Sequence, residues 1–278
     1  MTADAALAEA GFQRLLELLR GLGPVAVACS GGLDSSLLLA AARLALGDQV
    51  LALTVATPYM ATYEIVQVGE LTRMLDVRHR VLNLPIPPEI VRNPPDRCYR
   101  CKQALFAELK AIAAEEGFAC LVDGSNRDDL ADYRPGMRAL RELEIRSPLL
   151  EADLGKTEIR RYARALNLPV WDKFASACLL TRLPHDTEVD LYLLRRVEAS
   201  EQALRALDFR AVRVRCHGDL ARIEVDRAEH PRLLDEAVAD QVTAALTGCG
   251  FQYVTLDLRG YRMGSFNVPA LKPGSDAV

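Results

Sequence analysis

Three groups of reactive or ligand-binding side chains stand out in this chain of 278 residues. The first is Ser30-Gly31-Gly32-Leu33-Asp34-Ser35-Ser36. It follows the apolar run Val25-Ala26-Val27-Ala28-Cys29, which reads as a buried parallel strand, and precedes Leu37 to Ala42, which reads as a buried helix. A glycine pair at such a junction lets the backbone turn tightly and aim bare N–H groups at an anion. The helix dipole and the serine hydroxyls add to that attraction, and Asp34 is placed to hold a Mg²⁺ bridging phosphate oxygens. The second group is Cys98, Cys101 and Cys178. The third is Arg213 and Arg215, which alternate on a strand pattern, share one face, and can clamp a phosphate between two guanidinium forks. Val212 and Val214 would then face the core, and the competing reading of the arginines is a solvated strand face.

The glycine turn is not a Walker loop, because the Gly-Lys-Ser/Thr ending is missing, and it is not the Gly-x-Gly-x-x-Gly of dinucleotide-binding folds. It resembles the PP-loop of the ATP pyrophosphatases, written Ser-Gly-Gly-x-Asp-Ser. That resemblance implies ATP cleaved between its α and β phosphates, with AMP passed to an oxygen and pyrophosphate released.

Cys98-Tyr99-Arg100-Cys101 leaves four readings open. A structural zinc site would need a second paired knuckle, which is absent. A dithiol redox motif needs a thioredoxin-like setting. Buried spectator thiols sit poorly beside Arg97, Arg100 and Lys102, which favour thiolates. The fourth reading is an iron–sulfur cluster completed by Cys178, with one iron of a cubane left open for an extra sulfide. Cys29, Cys120, Cys216 and Cys249 read as small apolar residues.

The elements that must carry these groups follow from periodicity. Strands at 50–55, 78–84 and 119–122 alternate with helices at 60–75, 101–116 and 156–166, a pattern that predicts a parallel sheet with right-handed crossovers. Ligands of such sheets bind beyond the carboxyl ends of the strands, so the PP-loop and Asp123-Gly124-Ser125-Asn126 can share one crevice. After about Pro184 the pattern changes to helix 189–207, a hairpin of 212–215 and 221–225 turning at His217-Gly218-Asp219, helix 230–246 and strand 251–258. The expected domains are 1–183 and 184–278. The expected class is α/β, a Rossmann-like PP-loop (adenine nucleotide alpha hydrolase-like) sheet with a smaller C-terminal α+β domain. The net charge of −4 argues against a non-specific nucleic-acid binder. No 18-residue apolar run and no basic leader are present, so a cytoplasmic protein without membrane or nucleic-acid partners is expected. The seven cysteines are then expected to be thiols, ligands or catalysts rather than disulfides. The four histidines lack metal-ligand spacing and read as surface or turn residues.

Taken together, the PP-loop, Asp123 to Asp129, Asp132-Tyr133-Arg134-Pro135-Gly136, Arg146-Ser147-Pro148-Leu149, Trp171-Asp172-Lys173 through Ser176-Ala177-Cys178-Leu179, Arg213-Val214-Arg215 and Ala221 to Val225 resemble the LarE family. These are ATP-dependent sulfur transferases that make the nickel-pincer nucleotide cofactor of lactate racemase and related enzymes. The resemblance implies that a carboxylate of pyridinium-3,5-biscarboxylic acid mononucleotide attacks the α-phosphate of ATP, and that sulfur then displaces AMP to leave a thiocarboxylate. In one branch the cysteine matching Cys178 surrenders its own sulfur and becomes dehydroalanine. In another, three cysteines carry a 4Fe–4S cluster, and the presence of Cys98 and Cys101 beside Cys178 resembles that branch. The implied site places ATP on Ser30, Gly31, Gly32, Asp34, Ser35, Ser36 and Gly124. Mg²⁺ falls on Asp34, and the substrate phosphate on Arg213 and Arg215. Glu201, read as an exposed helical glutamate, matches a family position nearby. Lys156 and Arg134 read equally as phosphate contacts or as helix-face and turn residues. Sulfide or another sulfur donor, and a homohexamer, are implied partners. Other classes compete. A tRNA-thiolating PP-loop enzyme would want a basic face and an RNA-binding module, an ammonia-using synthetase would not need three cysteines, and a nucleotide-binding stress sensor would not need Asp34 together with Cys178.

Overall fold

The computed structural model describes residues 3–131, 135–174 and 177–261. They fall into two compact units, Met1–Ser176 and Ala177–Val278. The division comes earlier than the change of pattern at Pro184. The turn Leu179–Arg182 belongs with the second unit because Arg182 donates to Glu201 on the helix Leu191–Ala206.

The first unit is built on four parallel strands, β1 (Val25–Ala28), β2 (Val50–Ala56), β3 (Arg78–Asn83) and β4 (Cys120–Val122), in the order β3-β2-β1-β4. Strands covered on both faces read as continuous apolar runs, and β1 and β2 do. Val25, Val27, Val50 and Ala52 pack against the helices Ala10–Leu22, Leu33–Leu46 and Lys156–Ala165. Their neighbours Ala26, Leu51, Leu53 and Val55 face the other way, against Leu109 and Ala113 of the helix Arg97–Glu115 and Leu140 of the helix Gly136–Glu142. The period of two thus splits one sheet between two cores. β3 is the edge strand, and its Arg78 and Arg80 point to solvent and pair with Glu116. The α/β class with a Rossmann-like parallel sheet and a small C-terminal domain stands as expected from sequence.

The helix expected from Cys101 begins at Arg97, so both Cys98 and Cys101 lie within it. Gly136 permits its close neighbour, since a Cβ there would stand 2.8 Å from Lys102 Cδ and 3.3 Å from the Cys98 carbonyl.

In the second unit β5 (Arg213–His217) and β6 (Leu220–Glu224) form an antiparallel hairpin, and β7 (Tyr253–Leu256) pairs with β6 in parallel. Gly218 takes φ +62°, the conformation a tight hairpin turn asks of glycine. The single helix expected over 230–246 is two, His230–Leu233 and Glu236–Gly248, because Asp235 caps the second by accepting from the Val238 N–H. Among the described residues no helix is long and apolar enough to cross a membrane.

Candidate active site

The PP-loop is shaped by its own polar groups. Gly31 adopts φ +73°, and a Cβ on it would stand 2.9 Å from the Glu64 carbonyl, so only glycine fits without strain. Gly32 has extended backbone just before the helix Leu33–Leu46, and its carbonyl accepts from the Ser36 hydroxyl at 2.7 Å and the Ser36 N–H at 3.1 Å. The Ser35 hydroxyl accepts from the Ser30 N–H at 3.3 Å and shares a hydrogen bond with the Ser30 hydroxyl at 3.2 Å. Ser36 therefore holds the turn closed, while Ser30, Ser35 and Asp34 line a cavity at the carboxyl end of the sheet. The cavity floor is apolar, from Leu53 and Val55 of β2 and Leu105, Phe106 and Leu109 of the cysteine-bearing helix.

A second loop closes the other side. Gly124 approaches so closely that a Cβ would stand 2.8 Å from the Ser35 amide nitrogen. Asp123, nearly buried, accepts from Ser125 Oγ at 2.7 Å and Ser147 Oγ at 2.6 Å, and its amide donates to the Arg146 carbonyl at 2.9 Å. The motifs at 123–129 and 146–149 are thus one structure.

Lysines surround the loop. Lys156 Nζ pairs with Asp34 Oδ2. Lys173 Nζ donates to the Gly31 carbonyl at 2.8 Å and to Gln67 at 2.7 Å. Lys102 Nζ lies 3.9 Å from Asp123 Oδ2. Beneath the loop, Thr54 donates to the Cys29 carbonyl at 3.1 Å, so its oxygen receives the Nε2–H of His79 at 2.9 Å. This fixes the tautomer, and burial pushes the His79 pKa below its usual value. His79 is therefore part of the sheet's polar wiring and not the surface or turn residue expected.

Cys98 is exposed and Cys101 half-buried, sharing a hydrogen bond with Tyr59 Oη at 3.1 Å. Two buried spectator thiols are excluded by that exposure. Within the first unit, no third Cys, His, Asp or Glu stands with them as a metal-binding group among the described residues. Cys29 is buried, with its thiol pushed up to about 12 by burial, and Cys216 is buried as well.

In the second unit Cys178 opens the turn Leu179–Arg182. Its carbonyl accepts from Thr181 N–H at 3.1 Å, Thr181 Oγ1 at 2.9 Å and Arg182 Nη1 at 3.2 Å. Arg182 also grips Glu201 through Nε at 2.7 Å and Nη2 at 3.0 Å. Glu201 is not exposed: only 1% of it meets solvent, and it further accepts from Arg205 Nη2 at 3.0 Å and the Val214 N–H at 3.1 Å. Burial opposes its charge, but Arg182 and Arg205 overcome that and hold its pKa below the usual carboxylate range. Arg215 is bidentate to Glu224, both bonds 2.9 Å, and donates to the Thr181 carbonyl, while Arg213 donates to Tyr261 Oη at 3.0 Å. Both arginines are buried, so the solvated-face reading falls.

The matched motifs therefore resolve into a glycine-loop pocket in one unit and, in the other, a buried arginine–carboxylate cluster under a cysteine turn. A pyridinium-3,5-bisthiocarboxylic acid mononucleotide synthase of Lactiplantibacillus plantarum is 39% identical over 257 residues, 91% of this chain and 92% of that protein. The chain belongs to the LarE family. No family model matches it. Two uncharacterized proteins are also similar, one of Synechocystis at 35% identity over 93% of this chain and 97% of its own length, and one of Methanocaldococcus jannaschii at 31% over 86% and 90%. For this LarE-family chain, sequence reasoning missed Tyr59, the pocket position of Lys102, the sheet role of His79 and the use of Arg182. Lys102 had a signal, adjacency to Cys101, whereas Tyr59 and His79 had none before their partners were known. Arg134 and Ser176 lie outside the described residues.

Proposed function

We propose that this chain is an ATP-dependent sulfur transferase acting on pyridinium-3,5-biscarboxylic acid mononucleotide, in the making of a nickel-pincer nucleotide cofactor. The carrying observation is the PP-loop pocket, where a glycine turn, a helix N-terminus, Asp34 and a second loop at Gly124 converge at the sheet's carboxyl end. That architecture, in a family with a curated synthase, suits activation of a carboxylate by ATP.

A substrate carboxylate oxygen attacks the α-phosphorus. The bond to the β-phosphate oxygen breaks, giving an acyl-adenylate and pyrophosphate. Ser30, Gly31, Gly32, Ser35 and Gly124 bind and orient the phosphates, Ser36 acts through the turn it holds closed, and Asp34 would hold a Mg²⁺ that neutralises phosphate charge. A sulfur nucleophile then adds at the acyl carbon, the C–O bond to AMP breaks, and a thiocarboxylate remains. The cycle repeats on the second carboxylate. Arg213, and Arg215 on exchanging its Glu224 partner, receive the substrate's own phosphate, with Glu201 holding the strand between them through the Val214 amide. Cys98, Cys101 and Cys178 would ligate a 4Fe–4S cluster. Two of the donors suit it: Cys98 and Cys101 are thiols one helical turn apart, with a hydroxyl on one sulfur. Such a cluster, when bound, supplies an iron open to exogenous sulfide. A homohexamer in the cytoplasm is the proposed setting.

The test is an anaerobic assay with ATP, sulfide and the dicarboxylate mononucleotide, following AMP, pyrophosphate and thiocarboxylate together. Stoichiometric AMP and thiocarboxylate are expected, and Asp34→Ala should abolish pyrophosphate release. AMP without thiocarboxylate would overturn the sulfur step. Mass spectrometry showing loss of hydrogen sulfide from Cys178 would assign the sulfur to that residue and overturn the cluster route.

A further inference from the structure

Lys156 Nζ sits on the Asp34 carboxylate, the group assigned to Mg²⁺. The lysine backbone is anchored. Its N–H donates to Asp128 Oδ2 at 2.8 Å, and the preceding Gly155 N–H donates to Glu158 Oε2 at 3.1 Å. Arg127, in turn, donates to the Asp153 carbonyl at 2.7 Å and ion-pairs with Glu158 at 3.3 Å. Only the four-carbon side chain is left to move, and it is one-third exposed, at 34%. An ammonium and a divalent cation on one carboxylate repel each other, and Mg²⁺ demands near-ideal oxygen coordination. Metal entry at this carboxylate therefore weakens the lysine's hold on Oδ2.

We propose that Lys156 is an exchangeable counter-ion: it neutralises Asp34 while the pocket lacks magnesium, and metal entry transfers its charge to the incoming triphosphate. Without nucleotide the displaced ammonium has no phosphate to receive it, so metal binds weakly. With nucleotide the phosphates receive it. Metal and ATP then raise each other's affinity by the same factor. The device discourages bare metal from occupying the site and makes Lys156 a nucleotide-binding residue. The inference rests on Asp34 as the metal ligand.

The test measures Mn²⁺ binding by electron paramagnetic resonance without nucleotide, and Mg·ATP binding by calorimetry, in the full chain. Lys156→Met should bind Mn²⁺ about fivefold more tightly without ATP, the size set by losing a partly exposed ion pair of ~1 kcal/mol. It should bind Mg·ATP about tenfold more weakly, within the range of one charge-assisted phosphate contact. Lys156→Arg, which keeps the cation and reports on folding, should bind bare Mn²⁺ as weakly as the parent chain. Unchanged Mn²⁺ affinity in Lys156→Met, or a gain shared by Lys156→Arg, overturns the proposal. Adding Asp34→Asn to Lys156→Met should erase the gain. Should the gain survive in that double variant, the metal lies elsewhere, and the assignment of Asp34 fails instead.

Discussion

At Gly124 a single hydrogen atom stands where any other residue would carry a carbon 2.8 Å from the Ser35 amide nitrogen. The neighbours it would strike are backbone atoms of the PP-loop helix start, which cannot rotate away. Gly124→Ala should push that helix terminus off the second loop. Overpacking of this kind costs about 1–3 kcal/mol, so ATP affinity should fall roughly tenfold to a hundredfold. Calorimetric titration with Mg·ATP checks it, and the thermal midpoint should fall as well, because the same overpacking strains the folded chain. Gly31 and Gly32 were recognisable as a turn from their type and order. Gly124 was only a motif letter until the two loops were seen in contact.

At the scale of elements, β1, β2 and β3 are wired through Cys29, Thr54 and His79, and the wiring has a pH signature. The folded pKa of His79 is depressed, with burial as its cause. The unfolded chain therefore takes up a proton near pH 6.5 that the folded chain refuses. Stability should be full above that value and decline as pH falls below it. The decline should shrink in His79→Gln, which keeps a donor but does not titrate, as denaturant unfolding at pH 7.5 and 5.5 would show. The second unit responds at lower pH. Glu201 ties the helix Leu191–Ala206 to the turn after Cys178 and to β5. Its depressed pKa means stability present above about pH 4.5 and lost as pH falls through the folded value. Glu201→Ala leaves Arg182 buried without its partner and should cost about 3–5 kcal/mol, read as a fall in the unfolding midpoint of residues 177–261 by hydrogen exchange. Helix boundaries were less legible than strands. The cysteine-bearing helix starts four residues before its apolar periodicity does, because its first turn is polar and partly exposed.

For the whole molecule, two compact units carry different halves of the proposed chemistry, an activating pocket and a buried arginine–carboxylate cluster with Cys178. Protein purified without air should be brown and contain iron and labile sulfide, measured by colorimetric iron and sulfide assays. Intact thiols with no iron would refute the cluster. Replacing Cys98 or Cys101 with Ala should lower the iron content severalfold and leave the fold unchanged, since Cys98 is exposed and Cys101 half-buried outside the main cores.

The sequence by itself determined the alternation of elements, the parallel sheet, the PP-loop and the resemblance to a family that full-length similarity then established. These are legible because they depend on neighbours in the chain: period, glycine placement and motif order. The tertiary structure alone decided that Glu201 is buried, that Arg215 is bidentate to Glu224, that Lys156 sits on Asp34, and that Asp123 gathers Ser125 and Ser147. Apart from Ser125 beside Asp123, these pairings join residues from nine to 122 positions apart, and no local pattern reports which carboxylate a distant cation will meet.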